Sequence, residues 1–433
     1  MPELTNWLNK KRMKILLPLL LFTSTICMAQ NVQVLTLEKV YDLARQNYPL
    51  IKQKELLQRS GFLTIENIKT SFLPQVNITA QASYQSDVTS IAISLPGFQI
   101  TPPSKDQYKI WADVNQLLYD GGASKAQQQL QQISSAVDDQ KTEVELYKLK
   151  DRINQLYLGI LLLDAQLKQT EALKTDINIG LKTVSAQVTN GIAFKSAALV
   201  LDAQLLQTDQ RSIEIKSNRK SLLDVMTLFI NQPLTEDVQL TTPVVEEKIL
   251  DPAIVRPELK LYNYQDSLWK TQNKLINTKN SPKASLFAQG GYGRPALNQL
   301  KDEFALYYIG GVRFNWSLSG LYTSKRERQI ISVNEKINDV QKDVFLFNTN
   351  TQLTQQQSEI DKIKKLVNVD EQIISIRSKI TEASKAQLEN AVITSNDYLR
   401  EVNAEDQSKL SMLAHQIQLL QAKINYQTIK GNQ

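Results

Sequence analysis

Few residues of this chain have the types and spacing that catalysis or metal binding requires. His415 is the only histidine and Cys27 is the only cysteine. His415 lies in a stretch with the apolar spacing of a coiled coil, which favours a surface or interface role over a metal site. The sequence has no glycine-rich phosphate loop and no Ser/His/Asp set, and its acidic residues lack metal-ligand spacing. We therefore expect a protein that is not an enzyme, with no catalytic residue, cofactor or resident metal.

The N-terminus has the pattern of a cleaved secretory signal peptide over residues 1–29. Basic residues precede the short apolar run Ile15–Phe22, and a small-residue cleavage site ends at Ala29. We expect cleavage after Ala29, with translation starting at either Met1 or Met13.

Lipidation of Cys27 is an alternative, although Ile26 fits the position before a lipidated cysteine poorly.

Removal of residues 1–29 lowers Lys and Arg from 50 to 46 and Asp and Glu from 44 to 43, so the net charge falls from +6 to +3. The basic balance of the full chain is thus weak support for nucleic-acid binding, and we expect none.

A long stretch without helix breakers dominates the C-terminal part. Residues 321–430 contain neither glycine nor proline, which predicts continuous helix. Apolar residues in this stretch alternate steps of three and four, as in the a/d seam of a coiled coil. The two seams are Leu366, Val369, Ile373, Ile376, Ile380 and Ala383, and then Leu410, Leu413, Ile417, Leu420 and Ile424. One straight helix of this length exceeds a compact domain, so we expect a hairpin of two long arms.

Two pairs of segments instead alternate apolar and polar residues, as half-buried strands do. They lie at about residues 75–95 and 106–119, and at about 283–294 and 304–317. One face carries amides and hydroxyls, and the other carries aliphatic and aromatic residues. Trp111 is an exception on the polar side of its strand.

The order of elements occurs twice. Pro49 and Pro257 are 208 residues apart, as are Pro74 and Pro282, whereas Asn190 and Asn390 are 200 apart. The difference of 8 falls between the strands of each pair. We interpret this as a duplicated unit of helix, two strands and a long helical hairpin. The first repeat covers 30–249, with its hairpin at about 122–232, and the second covers 250–433, with its hairpin at about 321–430.

Four strands cannot close a barrel alone, and an apolar outside with a polar inside is typical of a transmembrane barrel. A soluble sheet packed on helices is the alternative. We expect Val76, Ile78, Tyr84, Ile110, Tyr308, Phe314 and Trp316 to face membrane lipid. Closed cyclic symmetry would supply the missing strands.

The chain resembles the TolC-like outer-membrane efflux proteins over nearly all of its mature length. The matching segments are Thr36–Pro49, Phe72–Val76, Gln116–Gly122, Gln187–Gly191, Arg256–Leu259 and Trp316–Gly320. The resemblance implies a homotrimer with a 12-stranded transmembrane β-barrel continuous with a periplasmic α-helical barrel. It also implies docking on a periplasmic adaptor protein and an inner-membrane efflux pump.

By this resemblance, Asn190–Gly191 and Asn390–Ala391 are the hairpin tips that contact the adaptor at the periplasmic entrance. Ala391 replaces the usual glycine of the family. Asp397 matches the position of an acidic ring, and Arg400 replaces a second acid, so these two residues are candidates for the entrance constriction. A solvated helix surface explains either residue equally well.

The resulting functional hypothesis is an exported outer-membrane exit duct of a tripartite efflux or type I secretion system, opened passively by docking. A secreted adhesive or structural coiled-coil protein is the alternative from another class. The periplasmic adaptor itself is a third, disfavoured because an adaptor has a single hairpin. The sequence does not indicate the exported substrate or the cognate pump.

Overall fold

The computed structural model describes residues 34–90, 102–245 and 253–431. The helices are α1 (Leu37–Asn47), α2 (Leu50–Lys69), α3 (Ala123–Tyr147), α4 (Leu149–Thr189), α5 (Lys195–Ile230), α6 (Pro257–Lys279), α7 (Leu321–Glu389) and α8 (Ser395–Lys430). The strands are β1 (Val34–Leu35), β2 (Gln75–Tyr84), β3 (Asp106–Tyr119), β4 (Gln239–Leu240), β5 (Lys283–Arg294) and β6 (Ala305–Asn315). The prediction of a mainly helical chain with a four-stranded β contribution is confirmed. The predicted signal peptide, with Ala29 and Cys27, lies outside the described residues.

The long helices follow from the scarcity of breakers. Helix α7 runs for 69 residues without interruption, which corresponds to about 100 Å at ~1.5 Å per residue. Helix α8 returns along it for 36 residues. In the first half of the chain, α3 and α4 are separated only by Lys148, whose backbone is itself helical, so together with α5 they form the equivalent pair of arms. None of the described helices combines the length and apolar character that a membrane-spanning helix needs.

The helices lie side by side in a layer. Near the hairpin tips the packing order is α5, α4, α8 and α7, and closer to the sheet it is α2, α3, α6 and α7. The main core joins α1, α4, α5 and the end of α8 around Tyr157 and Ile160, which are fully buried. A second core near the tips joins both hairpins around Ile177, Leu201 and Tyr398.

The strands β2, β3, β5 and β6 form one antiparallel sheet in that order, while β1 pairs with β4 in a separate two-stranded sheet. Residues Thr79, Trp111, Gly291 and Tyr307 form one cross-strand row of the four-stranded sheet. The chain enters and leaves each strand pair through helices at one end. The β2–β3 and β5–β6 connections therefore lie at the opposite end.

Two strand ends differ from the sequence prediction. Strand β2 ends at Tyr84 instead of near residue 95, because Asp87 Oδ1 accepts a hydrogen bond from the Val88 N–H at 2.8 Å, a local turn bond that competes with strand pairing. Residues 91–95 of that prediction lie outside the described residues. Trp316 lies just past the end of β6, where its indole N–H donates to the Asn280 carbonyl at 2.9 Å.

The predicted apolar seam of α7 does not pack against α8. Ile376 and Val369 are exposed, at 60% and 49% of their surface. Ile360 and Ile363 form the contact with Ala422 of α8 instead. In the described residues, these seam positions thus remain largely uncovered.

Candidate channel wall and helix tips

One face of the four-stranded sheet is apolar on every strand. Because paired residues lie on the same face, the register places Val76, Val114, Ala288 and Gly310 in one continuous surface. Six of the seven residues predicted to contact lipid lie on this face, and Trp316 follows it. Their exposed fractions are 61% for Val76, 76% for Ile78, 77% for Tyr84, 51% for Ile110, 86% for Tyr308, 67% for Phe314 and 57% for Trp316.

Aromatic residues lie at both ends of this apolar face. Next to the strand connections lie Tyr84, Tyr108, Tyr292 and Tyr308, one on each strand. At the helical end lie Phe314 and Trp316, and between Tyr308 and Phe314 the strand spans about 20 Å. A band of aliphatic side chains bounded by two aromatic girdles is the pattern of outer-membrane strands.

The other face of the sheet is polar. It carries Gln75, Asn77, Thr79, Gln81 and Ser83 on β2, which pair with Asn115, Asp113, Trp111, Lys109 and Gln107 on β3. On β5 and β6 the same face adds Gln289 and Arg313, and the aromatic residues Phe287 and Tyr307. Trp111 is therefore one of three aromatic residues on the polar face.

The sheet and the helical layer share the same two free edges. In the described residues, β2 pairs only with β3 and β6 pairs only with β5. The helices on the β2 side are α2 and α5, and the helix on the β6 side is α7. Over the described ranges, the sheet and the helical layer are thus open on both sides.

The helices at both edges expose apolar residues with heptad spacing. On α7, six residues that alternate steps of three and four are between 48% and 71% exposed: Ile330, Val333, Ile337, Val340, Val344 and Phe347. On α5, Leu199, Leu206 and Ile213 repeat every seven residues and are between 56% and 70% exposed. On α2, Leu56 and Leu63 are seven residues apart and are 69% and 46% exposed. Seams of this kind are stable only when another helix covers them.

The two predicted hairpin tips have the same backbone path. The N–H groups of Asn190 and Asn390 donate to the carbonyls of Ala186 and Ala386, which completes the last helical turn. Gly191 and Ala391 then take left-handed conformations, with φ of +75° and +56°. Four residues further on, the returning helices begin at Lys195 and Ser395.

The tip of the second hairpin has a side-chain cap. Thr394 Oγ1 accepts a hydrogen bond from the Asp397 N–H at 3.3 Å, and Asp397 Oδ2 accepts one from the Thr394 N–H at 3.2 Å. This is a reciprocal capping box. The hydrogen bonds from Thr394 lower the pKa of Asp397. At the equivalent place in the first hairpin, Phe194 provides no side-chain cap.

The structure brings the two candidate constriction residues together only loosely. Arg400 Nη1 lies 3.8 Å from Asp397 Oδ1, and Arg400 Nε lies 3.0 Å from Glu401 Oε1. The Arg400 side chain is 72% exposed. Capping of α8 is thus the contact that Asp397 makes within one chain, and a role in the constriction stays a prediction.

Comparison with known proteins identifies a family that this chain resembles. Residues 40–228 match the sequence model of the family described as outer membrane efflux protein. The predicted resemblance to the outer-membrane efflux proteins is confirmed. Among curated proteins, no sequence matches the chain significantly.

Solved structures of outer-membrane channels share the fold. The outer-membrane channel OprN matches with a TM-score of 0.67 at 11% identity, over 92% of this chain and 90% of that chain. CusC, described as forming a transmembrane channel, matches with a TM-score of 0.66 at 11% identity, over 92% of both chains. The CmeC outer membrane channel of Campylobacter jejuni matches with a TM-score of 0.64 at 13% identity, over 91% of this chain and 85% of that chain. At these identities the likeness establishes the fold.

Sequence reasoning missed the buried polar contacts between the two hairpins and within the second one. Asp406 on α8 accepts hydrogen bonds from Arg211 on α5 at 2.9 Å and from Gln169 on α4 at 3.0 Å. Within the second hairpin, Glu405 accepts a hydrogen bond from Ser378 on α7 at 2.6 Å. Both acids are buried. In the sequence, the signal for these contacts was that Glu405 and Asp406 lie between apolar positions of α8.

Burial alone would raise the pKa of Glu405, but hydrogen bonds from Lys409, Ser378 and Thr381 outweigh burial and lower it. Tyr398 lies in the same region, and burial raises its pKa to about 12. Its hydroxyl donates to the Asp176 carbonyl at 3.2 Å. Its ring covers Gly180, where an added Cβ would lie 2.6 Å from Tyr398 Cε1. The second hairpin is therefore held against the first by both packing and hydrogen bonds.

His415 has a defined structural contact. Its Nδ1 lies 2.5 Å from Oδ2 of Asp370, a buried residue of α7. This contact joins the two arms of the second hairpin. Within the described ranges, no group of three or more His, Cys, Asp or Glu side chains is arranged to hold a metal ion.

Proposed function

We propose that three copies of this chain form an outer-membrane exit duct, through which an efflux or secretion system exports its substrate. The observation that carries the proposal is the coincidence of free edges. The sheet, the helices close to the sheet and the helices near the hairpin tips are all open on the same two sides. Exposed apolar seams with heptad spacing line those sides.

Ring closure satisfies every one of these edges at once. Strand directions alternate across the sheet, so β6 of one copy runs antiparallel to β2 of the next and can pair with it. The same rotation brings the exposed seam of α7 beside those of α2 and α5. A closed ring leaves no unpaired strand edge in the membrane, where an unsatisfied backbone group costs several kcal/mol. Three copies give 12 strands, the number that the resemblance implies.

In this assembly the polar sheet face lines the lumen, and the apolar face with its aromatic girdles contacts lipid. The helices continue the ring into the periplasm, and the tips at Asn190–Gly191 and Asn390–Ala391 contact the adaptor. The duct is passive, and docking of the adaptor and the inner-membrane pump opens it.

Membrane fractionation tests this proposal. We expect the exported protein in the outer membrane, as a trimer that resists detergent at room temperature and dissociates on heating. A soluble or surface-released monomer would contradict the duct and favour the adhesive coiled-coil protein.

Conductance tests the constriction. We expect the double variant Asp397→Ala, Arg400→Ala to raise single-channel conductance because it removes charges at the entrance. Thr394→Ala is the matched control, since it weakens the same cap but leaves both charges in place. Unchanged conductance in the double variant, or an equal rise in the control, would remove these residues from the constriction.

A further inference from the structure

The polar sheet face carries one patch with a distinct chemistry. Trp111 and Tyr307 belong to the same cross-strand row and are separated by Gly291. A Cβ at Gly291 would lie 2.6 Å from Trp111 Cβ and 2.9 Å from Tyr307 Cζ. The missing side chain therefore lets the Tyr307 ring lie over the backbone beside Trp111. Both rings are half-buried and form an aromatic floor near the middle of the sheet.

An acidic group lies at the side of this floor. The Trp111 indole N–H donates to Asp113 Oδ2 at 2.6 Å, which fixes the indole and the carboxylate relative to each other. Throughout the described segments, the other carboxylate oxygen, Oδ1, accepts no hydrogen bond, and no Lys or Arg forms an ion pair with Asp113. The carboxylate thus keeps hydrogen-bonding capacity and an unneutralised charge beside two aromatic rings.

The basic residues of the same face do not compensate this charge. Lys109 lies four residues from Asp113 along β3, about 14 Å away at ~3.4 Å per residue. The guanidinium of Arg313 stacks over the ring of Phe287, with its Cζ 4.7 Å from the ring centroid. This pair shows that an aromatic ring of this face can hold a cation over its surface.

We propose that Trp111, Asp113 and Tyr307 form a recognition site for organic cations, such as quaternary ammonium compounds. An alkylated ammonium group is attracted to the faces of Trp and Tyr rings and is weakly hydrated, so it gains from an aromatic floor with an adjacent carboxylate. This inference rests on the proposed function, because ring closure places three copies of the site on the lumen wall. The site would then favour passage of cationic amphiphiles over anions.

A fluorescence titration tests the site without requiring the duct to be open. Trp269→Phe and Trp316→Phe leave Trp111 as the reporter, since Trp7 lies in the predicted signal peptide. The probes are choline and its neutral isostere 3,3-dimethyl-1-butanol. We expect saturable quenching or enhancement by choline, with affinity about tenfold weaker for the neutral isostere, because the isostere lacks the charge.

Variants separate a specific site from weak surface association. Asp113→Asn keeps the shape and leaves the reporter intact, and we expect it to weaken choline binding about tenfold. Thr79→Ala, in the same row but without an aromatic or charged group, should leave binding unchanged. The proposed site would be overturned if the protein bound choline and the isostere with equal affinity. It would also be overturned if Asp113→Asn bound choline as tightly as its parent protein.

The oligomeric state of the same sample distinguishes failure of the cation site from failure of the proposed function. If heat-modifiable trimers are present and choline binding is not saturable or not dependent on Asp113, the cation site is wrong and the duct stands. If no trimer forms in the outer membrane, the duct itself is wrong. Trimers with Asp113-dependent, charge-selective binding support both.

Discussion

The two hairpin tips achieve the same turn with different local chemistry. At the first tip Gly191 has a φ of +75°, and at the second Ala391 has a φ of +56°. The left-handed conformation costs glycine little, whereas it costs a residue with a Cβ about 1–2 kcal/mol. The second tip carries that strain, and only the second tip has a capping box, which typically contributes about 1 kcal/mol.

The comparison extends to the contact between hairpins. Position 398 holds a tyrosine that covers Gly180, whereas the equivalent position of the first hairpin, 200 residues earlier, holds Ala198. The first tip thus has a glycine at the left-handed position and no side-chain cap. The second tip combines a strained residue with a capping box and the contact of Tyr398 on Gly180. A strained element held by a few specific contacts can change state when a partner removes one of them.

The largest effect is expected from removing the aromatic contact of the second hairpin. Tyr398→Ala should lower the free energy of local unfolding at the start of α8 by about 3–5 kcal/mol, because it empties a buried site. Hydrogen exchange of the α8 amides measures it. Tyr398→Phe is the control and should cost about 1 kcal/mol, the hydrogen bond to Asp176 alone. Equal effects of the two variants would show that packing on Gly180 contributes little.

Loss of the cap should have a smaller effect that is confined to the second tip. Thr394→Ala removes the hydroxyl that bonds the Asp397 N–H, so we expect faster exchange in the first turn of α8, by about 1 kcal/mol of opening free energy. Phe194→Ala, the matched change before α5, should leave the exchange there nearly unchanged, because Phe194 is 85% exposed and caps nothing. Equal responses at the two tips would contradict the asymmetry.

Exchanging the two left-handed residues should shift the tips in opposite directions. Gly191→Ala should destabilise the first tip by about 1 kcal/mol through backbone strain alone, since nothing lies within 4 Å of the added Cβ. Ala391→Gly relieves the strain but adds freedom to the unfolded chain, so a gain of less than about 1 kcal/mol is expected. Melting of the purified variants measures both, and a loss of stability in Ala391→Gly would show that Ala391 is not strained.

The smallest effect is a pH dependence at the second tip only. Hydrogen bonds from Thr394 lower the pKa of Asp397 in the folded state, so its contribution is fully present above the ordinary aspartate value of about 3.9 and disappears as the pH falls through the lowered value. Exchange in the first turn of α8 should therefore accelerate below that ordinary value. Asp397→Asn should remove this dependence, and exchange at the start of α5 provides the internal reference.

Sequence reasoning predicted the elements better than their partners. The lack of breakers in residues 321–430 predicted both helices, and alternation predicted the strands to within two residues except at the end of β2. These features depend on local propensity and period. The pairing of Ile360 and Ile363 with α8, and the ion pair of Asp406 with Arg211, depend on which helix lies alongside. Nothing local in the sequence distinguishes a seam that packs within the chain from one that packs against a neighbour.

Cysteine cross-linking between the free sheet edges tests ring closure most directly. Thr79→Cys on β2 is combined in turn with Tyr307→Cys, Ile309→Cys and Arg313→Cys on β6, all on the polar face. We expect oxidation of at least one double variant in outer membranes to yield cross-linked trimers and no larger species, with each single variant remaining uncross-linked. Cross-linked dimers from Thr79→Cys alone would indicate a symmetric β2–β2 contact. That result, or the absence of any β2–β6 cross-link, would contradict the duct.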